Sequence, residues 1–343
     1  MPLDITKLRE GAREDGNEGT DEVLQALAHK VRSIPLHGGC ERLRERQMLV
    51  LHAKQRCERR AQDALQRGLL RVRVVMAVRD IDAGERVART LRNPARVMRL
   101  DMSKMDDVME FARTWNEPLF GLIQNAGLQL TGPASFNADG FEETLAVNFL
   151  APTWLSLALL PHLRGARVMC IGSGTHNPEN RMATVFGFRG GRFSTVTALA
   201  RGETNARSDA QAGRDRYATS KLLITAATME LARRHPETTF ITLDPGLMPG
   251  TGLARTAPWP ARVAWSTLLR WLVPLLPDAS TPERSARAAC NLLTRETLEN
   301  GGVYDFTAQP SARVWRGLLD PTLGVEALDQ ASALLTARWP LPR

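Results

Sequence analysis

The sequence predicts an α/β fold, with a doubly wound parallel sheet covered by helices on both faces. Short apolar or β-branched segments alternate with amphipathic helical segments from about residue 47 to residue 306. Such alternation is typical of parallel strands joined by helical crossovers. Several predicted strands also end in polar or glycine-containing turns, at the edge where α/β sheets bind ligands.

Composition limits the classes of protein that fit. A chain of 343 residues has room for one large domain or two smaller ones. The four cysteines, Cys40, Cys57, Cys170 and Cys290, are scattered. This fits a reducing compartment and argues against a disulfide framework or a metal site. No apolar signal core and no run of 18 apolar residues occur, so we expect a cytoplasmic protein.

The net charge of +8 raises the question of nucleic-acid binding. Residues 31–73 hold 11 Lys and Arg against 4 Asp and Glu, so nearly all of the excess lies in one stretch. No zinc-finger, aromatic RNA-binding or helix-turn-helix motif accompanies it. We therefore expect no nucleic-acid partner.

The N-terminal region, residues 1–45, is expected to form an arm and a helix. Acidic residues follow Thr20, as at a helix start, and apolar positions recur at helical spacing over residues 23–31. The apolar run at residues 47–51 predicts the first strand. Residues 52–70 are rich in Arg and predict an irregular helix.

The main domain is expected to span residues 46–310. After the first strand, further strands are predicted at residues 72–78, 96–100, 119–123, 167–171, 238–243 and 302–306. Helices are predicted at residues 81–91, 104–115, 140–163, 214–234 and 280–295, and Ser103 is expected to cap the second of them. Residues 177–214 are interpreted as an insertion or lid, and residues 311–343 as a C-terminal helical tail.

One segment, residues 261–276, is rich in Trp and Leu. It carries Arg262 and Arg270 and is interrupted by Pro274, so it is interpreted as a helix packed over a pocket. The alternative interpretation is a peripheral contact with a membrane surface.

Tyr217 and Lys221 lie four residues apart in a predicted helix, so they share one face of it. A lysine ammonium beside a phenol favours the phenolate, so Lys221 is expected to lower the pKa of Tyr217. This makes Tyr217 a candidate general acid/base. The spacing alone is weak evidence, because a surface helix with a half-buried tyrosine shows it too. However, the chain contains only two tyrosines.

Polar or turn-forming residues follow most of the predicted strands. Each has an ordinary explanation as part of a turn when it is taken singly. Their joint placement at successive strand ends predicts a ligand site there. The residues are Arg79, Asp101, Asn125, Ser173, Pro245 and Gly246.

Taken together, these motifs resemble the short-chain dehydrogenase/reductase family over about residues 72–306. Residues 124–127 are similar to its Asn-Asn-Ala-Gly segment, with Gln124 for the first Asn. The other matching positions are Asn148 in the helix, Ser173 after a strand, the Tyr217–Lys221 pair, and Pro245-Gly246. The surrounding residues resemble the branch with protochlorophyllide reductase and retinol dehydrogenase-like enzymes. The resemblance implies a Rossmann-like sheet.

The resemblance implies an NADP-dependent oxidoreductase that moves hydride between nicotinamide and a carbonyl or alcohol of a fairly apolar small molecule. Tyr217 would exchange the proton, and Lys221 would lower its pKa and bind the nicotinamide ribose. Ser173 would donate a hydrogen bond to the substrate oxygen. Asn148 would hold a water that links Lys221 to solvent. A homo-oligomer through the helices of Asn148 and Tyr217 is also implied.

The resemblance further assigns residues to the cofactor. Arg79 would meet a 2′-phosphate, which favours NADP over NAD, although an acidic residue, Asp80, follows it. The remaining cofactor-binding positions are Asp101 and Met102 at adenine, Asn125, Ala126 and Gly127 at the adenosine ribose, Tyr217 and Lys221 at the nicotinamide side, and Pro245, Gly246 and Met248 after a later strand.

One part of the family pattern is missing. A glycine-rich turn, Thr-Gly-x-x-x-Gly-x-Gly, should follow the first strand and cradle the pyrophosphate. Residues 52–60 instead read His-Ala-Lys-Gln-Arg-Cys-Glu-Arg-Arg, and no glycine lies between Gly39 and Gly68. One explanation is a degenerate pseudoenzyme that acts as an interaction or regulatory module. The other, which we prefer slightly, is a local reading-frame error in the coding sequence.

Overall fold

The structure of this chain is a computed structural model that describes residues 47–52, 73–91, 95–248 and 278–342. Three predicted features lie outside these residues: the N-terminal arm, most of the Arg-rich segment 52–70, and the apolar segment 261–276.

The described residues contain seven strands in a single parallel sheet, which confirms the predicted fold class. The strands are β1 (Gln47–His52), β2 (Arg73–Val78), β3 (Arg96–Arg99), β4 (Leu119–Gln124), β5 (Arg167–Ile171), β6 (Thr239–Asp244) and β7 (Val303–Asp305). Their order is β3-β2-β1-β4-β5-β6-β7, and all neighbours pair in parallel. The strand order reverses between β1 and β4, and such switch points are where sheets of this kind bind ligands.

The helices mostly follow the predicted pattern. They are α1 (Ile81–Thr90), α2 (Met105–Thr114), a short α3 (Glu143–Leu145), α4 (Ala151–Ala158), α5 (Arg181–Val185), α6 (Val196–Ala200), α7 (Asp209–Arg234), α8 (Pro282–Thr294) and α9 (Thr322–Thr336). The helix predicted over residues 140–163 is in fact α3, a π-helical turn at Ala146–Leu150, and α4. Helix α7 begins five residues earlier than predicted, because Ser208 caps it by accepting the N–H of Gln211.

The prediction that Ser103 caps α2 is wrong. The N-cap residue is Lys104, and it has no capping side-chain hydrogen bond. The Ser103 hydroxyl instead donates to the Asp101 carboxylate at 2.7 Å. The N–H of Met105 donates to the carboxylate of Asp139, 2.9 Å away. A carboxylate from a distant loop therefore satisfies this helix end, a contact that local sequence does not encode.

Both faces of the sheet are buried, because successive strand residues point to opposite sides. On one side, Leu122 and Phe240 join a core that α2, α4, α7 and α9 cover. On the other side, Ile123 and Ile241 pack against α8. The central strands β4 and β5 are consequently apolar along most of their length, whereas the edge strand β3 begins and ends in exposed arginines.

The C-terminal helix α9 packs across α7 and α4. Trp339, which follows α9, is buried, and its ring N–H donates to Asp106 at 2.7 Å. Its main-chain oxygen accepts the ring N–H of Trp154 at 2.8 Å. The helices that the family resemblance assigns to subunit contacts are thus partly covered by this chain itself, and the homo-oligomer stays a prediction. No helix within the described ranges has the length and apolarity that crossing a membrane requires.

Candidate active site

Four predicted catalytic side chains converge at the carboxyl ends of β4 and β5. Ser173 follows β5, and a hydrogen bond joins it to the side chain of Tyr217 on α7. Lys221, one turn further along α7, donates from Nζ to the main-chain oxygen of Ile171 at 2.8 Å. Asn148, in the π-helical turn, contacts the same helix through Ser220. The sheet edge and α7 therefore bring together residues that are far apart in the sequence.

Tyr217 is buried, with 8% of its surface exposed. Burial raises the pKa of the phenol to about 12, the hydrogen bond from Ser173 lowers it, and the negative charge of Asp244 raises it. The expectation that Lys221 lowers the pKa of Tyr217 is therefore not met here. The physical reason is that loss of solvent disfavours the phenolate more strongly than its neighbours favour it.

The pKa of Lys221 is shifted in the opposite direction, downwards. Burial lowers its pKa to about 8, while the nearby Cys170 and Asp244 side chains raise it. Its Nζ lies 5.8 Å from the centre of the Tyr217 ring. The ammonium is thus close enough to act on the phenol through its charge, and near neutral pH a small change in its surroundings changes its protonation.

Asn148 holds the loop after β4 in place. Its Oδ1 accepts the N–H of Leu128 at 2.8 Å, and its Nδ2 donates to the Leu128 oxygen at 2.8 Å and to the Ser220 hydroxyl at 3.0 Å. A side chain on Gly127 would come within 3.3 Å of this amide and 3.5 Å of Lys221 Nζ. Both amide hydrogens are used by the protein, so the side chain positions the loop, and the water relay stays a prediction.

The end of β4 offers a test of whether a dinucleotide fits. Asn125 is buried, and its Nδ2 has no hydrogen-bond partner among the residues that the structure describes. A buried donor without an acceptor is costly, so this atom is suited to an acceptor on a bound ligand. The neighbouring Gln124 differs, because its side-chain nitrogen Nε2 donates to the main-chain oxygen of Pro152 and to the hydroxyl of Ser156. Asn125, Ala126 and Gly127 lie beside the switch point, where a cofactor of this type binds.

The predicted adenine-side residues lie at the ends of β2 and β3. Arg79 is exposed directly after β2. Asp80 is an acidic residue of the type that binds the free ribose hydroxyls of NAD. Here it caps α1 by accepting the N–H of Ala83 at 3.0 Å. Asp101 turns back onto its own loop and accepts two hydrogen bonds from Ser103, while Met102 is buried in the core. Arg79 is thus an exposed cation at the end of β2, beside an aspartate that one hydrogen bond engages in the helix cap.

After β6, Pro245, Gly246 and Met248 follow one another at the same edge. Gly246 has a φ of +75°, and a Cβ there would come within 2.5 Å of the Phe306 ring. Only glycine fits this turn without strain. Met248 is buried against the core beside α8.

Three residues near the site were missed by sequence reasoning. His176 is buried, with Nδ1 2.5 Å from the Ser173 oxygen and Nε2 accepting the Trp315 N–H at 3.5 Å. Burial lowers its pKa, and Ser173 and Asp244 oppose this. Asp244 itself pairs with Arg313 at 3.5 Å. The positions of His176 and Asp244 beside the Ser173 and Pro245 motifs were a usable signal, whereas Arg313 comes from the predicted tail and gave none.

Metal ligands and the expected glycine-rich turn were also sought at this site. Within the described part of the chain, no three His, Cys, Asp or Glu side chains gather as a metal ion requires. The segment where the glycine-rich turn is expected, residues 53–60, lies outside the described residues.

Comparisons with known proteins agree with this geometry. A family model described as short chain dehydrogenase matches residues 62–186, and so begins after the missing turn. The chain is 33% identical to polyprenol dehydrogenase of Mus musculus over 252 residues, which is 67% of each chain. It is 29% identical to chloroplastic protochlorophyllide reductase of Pisum sativum over 258 residues, or 67% of this chain and 62% of the relative.

A solved structure gives the same fold. The short-chain type dehydrogenase/reductase from Mycobacterium ulcerans superposes with a TM-score of 0.51 at 16% identity, covering 84% of this chain and 98% of the other. At that identity the likeness speaks for the fold alone. The extent of the match to polyprenol dehydrogenase, together with the family model, decides the classification. This chain belongs to the short-chain dehydrogenase/reductase family of NAD(P)-dependent oxidoreductases.

Proposed function

We propose that this protein is an NADP-dependent oxidoreductase that moves hydride between nicotinamide and a carbonyl or alcohol of a fairly apolar substrate. The observation that supports this best is the Ser173–Tyr217 hydrogen bond beside the buried Lys221, at the carboxyl edge of a parallel sheet. Two hydroxyl groups and an ammonium in this arrangement are suited to proton transfer at a carbonyl oxygen.

The residues divide the work as follows. When bound, the reduced cofactor NADPH would supply the hydride for reduction, and NADP⁺ would accept it for oxidation. Ser173 donates a hydrogen bond to the substrate oxygen, where negative charge develops during reduction. Tyr217 transfers the proton from its phenol oxygen. Its pKa of about 12 keeps it protonated near neutral pH, which is the form that carbonyl reduction needs. The Lys221 charge stabilises the phenolate left after the transfer.

The preference for NADP rests on the end of β2. Arg79 is exposed there, and a guanidinium pairs well with a phosphate. The carboxylate of Asp80 is engaged as the cap of α1, so it is less available to bind the free hydroxyls of NAD.

The apolar substrate is inferred from two observations. The Phe188 ring packs beside Tyr217 with 6.1 Å between ring centres, so one wall near the phenol is aromatic. A relative at 33% identity is named for polyprenol, an apolar alcohol. The apolar segment 261–276, outside the described residues, stays a prediction both as a cover of the substrate pocket and as a membrane contact.

The alternative, a pseudoenzyme that acts as an interaction module, is less well supported. Relatives are named as dehydrogenases and reductases. In this chain Ser173 is hydrogen-bonded to Tyr217, and Lys221 Nζ lies 5.8 Å from the centre of the Tyr217 ring. Burying the Lys221 ammonium costs stability, and a role in proton transfer accounts for its position beside Tyr217.

The test is a screen for carbonyl reduction with NADPH. Aldehydes and ketones of increasing chain length, up to a polyprenyl aldehyde, are incubated with the chain as it is and with a variant whose residues 53–60 carry the family turn. We expect NADPH-dependent turnover that increases with apolar chain length. Tyr217→Phe in the same background is the control. Turnover that survives this substitution, or NADPH binding without turnover of any carbonyl, would contradict the proposal.

A further inference from the structure

We propose that Arg313 is a positioning residue for the Tyr217–Lys221 pair and acts on it through the carboxylate of Asp244. This inference rests on the proposed function, in which Tyr217 transfers the proton and Lys221 assists it. Arg313 lies in the C-terminal part of the chain, beyond the last strand, and touches neither Tyr217 nor Lys221 in any contact described above.

The guanidinium of Arg313 is fixed from several sides. Its Nε lies 3.5 Å from Asp244 Oδ2, and both side chains are largely buried, at 15% and 6% exposed. Its other nitrogens lie 2.8 Å from Asp278 and 3.4 Å from Asp305. The Phe306 ring lies beneath it, 5.1 Å from ring centre to guanidinium carbon. A planar guanidinium with this many partners has one position, so its charge is held at a defined distance from Asp244.

Asp244 connects this guanidinium to the reacting groups. It is the last residue of β6, and its Oδ2 lies 3.0 Å from where a Cβ on Gly174 would stand. Gly174 directly follows Ser173, the hydrogen-bond partner of Tyr217. The carboxylate therefore reaches the site because residue 174 has no side chain.

A second set of contacts holds the same loop. The main-chain oxygen of Arg313 accepts the Nδ2 hydrogen of Asn177 at 3.0 Å. Two residues later, the N–H of Trp315 donates to His176 at 3.5 Å. Residues 313–315 thus span the turn that begins at Ser173, and they couple its position to the placement of the Arg313 charge.

The charges explain what Arg313 does. An unopposed carboxylate in a poorly solvated site favours the protonated form of every neighbouring group. Asp244 raises the pKa of Tyr217, in the same direction as the larger effect of burial. It also raises the pKa of Lys221, where the larger effect of burial acts in the opposite direction. The positive charge of Arg313 offsets that of Asp244, so it makes the phenolate of Tyr217 easier to form and Lys221 easier to deprotonate.

The other groups facing this pair are few among the described residues. Tyr217 faces Ser173 after β5, and its own helix supplies Lys221. Lys221 faces the buried Cys170 of β5, whose pKa burial raises to about 11, so this thiol stays neutral at the pH values of interest. The pKa of His176 is lowered by burial, so this imidazole is also uncharged near neutrality. The charges that remain are Asp244, Arg313 and the two other carboxylates paired with Arg313, Asp278 and Asp305.

The experiment is a titration of the apoprotein, which needs no turnover. The chain has five lysines and two tyrosines, so NMR of isotope-labelled lysine resolves Lys221, and Tyr304→Phe leaves Tyr217 as the remaining tyrosine. We expect Arg313→Met to raise the midpoint of Lys221 by about one pH unit, a tenfold change in proton affinity, and Asp244→Asn to lower it by a similar amount. The Tyr217 midpoint should move in the same two directions.

Two controls separate charge from structure. Arg313→Lys keeps the charge and should restore most of the Lys221 midpoint. Arg284→Met removes the other guanidinium at Phe306, 4.6 Å from the ring centre, and should leave both midpoints unchanged. An unchanged or lowered Lys221 midpoint in Arg313→Met would overturn the proposal. If that variant does not fold, an unchanged midpoint in Asp244→Asn overturns it equally. Failure of the proposed function would appear separately, as activity that survives Tyr217→Phe.

Discussion

Lys221 Nζ lies 5.8 Å from the centre of the Tyr217 ring, one helical turn along α7. Burial acts on the two side chains in opposite directions, because it raises the pKa of the phenol to about 12 and lowers that of the amine to about 8. Near neutral pH the phenol is therefore protonated, and such a pH lies about one unit below that at which the ammonium of Lys221 is half deprotonated. Titratable groups displaced in this way by a shared environment are typical of proton-transfer sites.

Tyr217→Phe should abolish most turnover and leave the fold intact, since it removes only the phenol oxygen. General acid/base groups typically contribute about 10²–10⁴-fold to the rate, so a loss in that range is expected. Turnover of NADPH is measured in the variant that carries the restored glycine turn. Tyr304→Phe on β7 is the matched control and should keep near-parental activity. Near-parental activity in Tyr217→Phe would show that another group supplies the proton.

Lys221→Met should stabilise the fold near neutral pH while abolishing activity. The folded pKa of about 8 lies below the ordinary value of 10.5, so between these values the unfolded chain binds more protons. The free energy of unfolding of the parent should therefore rise with pH in this window, by up to about 1.4 kcal/mol per pH unit. The variant lacks this rise.

Urea unfolding at a series of pH values measures the difference between parent and variant. The clearest interval is from about pH 8 to pH 9, because Cys170, whose ordinary pKa is 9.0, opposes the rise above it. Lys104→Met, at an exposed position, is the control and should keep the parental slope. Parallel curves for parent and Lys221→Met would mean that burial does not lower the pKa of this lysine in the folded state.

Arg79→Ala should weaken NADPH binding far more than NADH binding. Charge-assisted hydrogen bonds from a guanidinium to a phosphate are about twice as strong as neutral ones, and only NADPH carries the 2′-phosphate. The dissociation constants of both cofactors are measured by nicotinamide fluorescence. Arg73→Ala, at the opposite end of β2, is the control and should affect neither. Equal weakening of both cofactors would assign Arg79 to support of the loop instead.

Trp339→Ala should destabilise the protein by about 3–5 kcal/mol, the usual cost of removing a buried aromatic side chain. The ring is 2% exposed and donates to Asp106, so the substitution leaves both a cavity and an unpaired acceptor. Urea unfolding measures the loss, and Leu341→Ala, at a partly exposed position nearby, should cost far less. A loss below 1 kcal/mol would show that α9 is held by its other contacts.

Sequence reasoning succeeded where a pattern is local. The strands and most helices follow from apolar runs and helical spacing. The motifs also predicted that Ser173, Tyr217 and Lys221 lie close together, while their catalytic roles stay predictions. It failed where a partner comes from elsewhere in the chain. Asp139 satisfies the end of α2 in place of Ser103, and no local signal marks that contact.

The charge balance of the site was equally out of reach. The spacing of Tyr217 and Lys221 predicted their neighbourhood, but the direction of the Tyr217 pKa depends on burial and on Asp244. Asp244 in turn depends on Arg313, which sequence alone placed in a tail. Electrostatics of this kind follows from three-dimensional distances and solvent exclusion, which a linear pattern does not contain.

The last prediction concerns the missing turn at residues 53–60. As written, the chain should bind NADPH poorly, because the family turn gives the pyrophosphate two or three backbone hydrogen bonds worth about 1.5–3 kcal/mol each. Their loss would cost about 4 kcal/mol or more, roughly a thousandfold in affinity. Lys54 and Arg56 would return no more than about 1 kcal/mol through solvated charge contacts. Grafting Thr-Gly-x-x-x-Gly-x-Gly onto these positions should then restore binding and activity together, as followed by nicotinamide fluorescence. Resequencing this part of the gene decides between a degenerate turn and a reading-frame error. Low-micromolar NADPH binding by the unmodified chain, or no gain in affinity from the graft, would show that the segment holds the cofactor in another way.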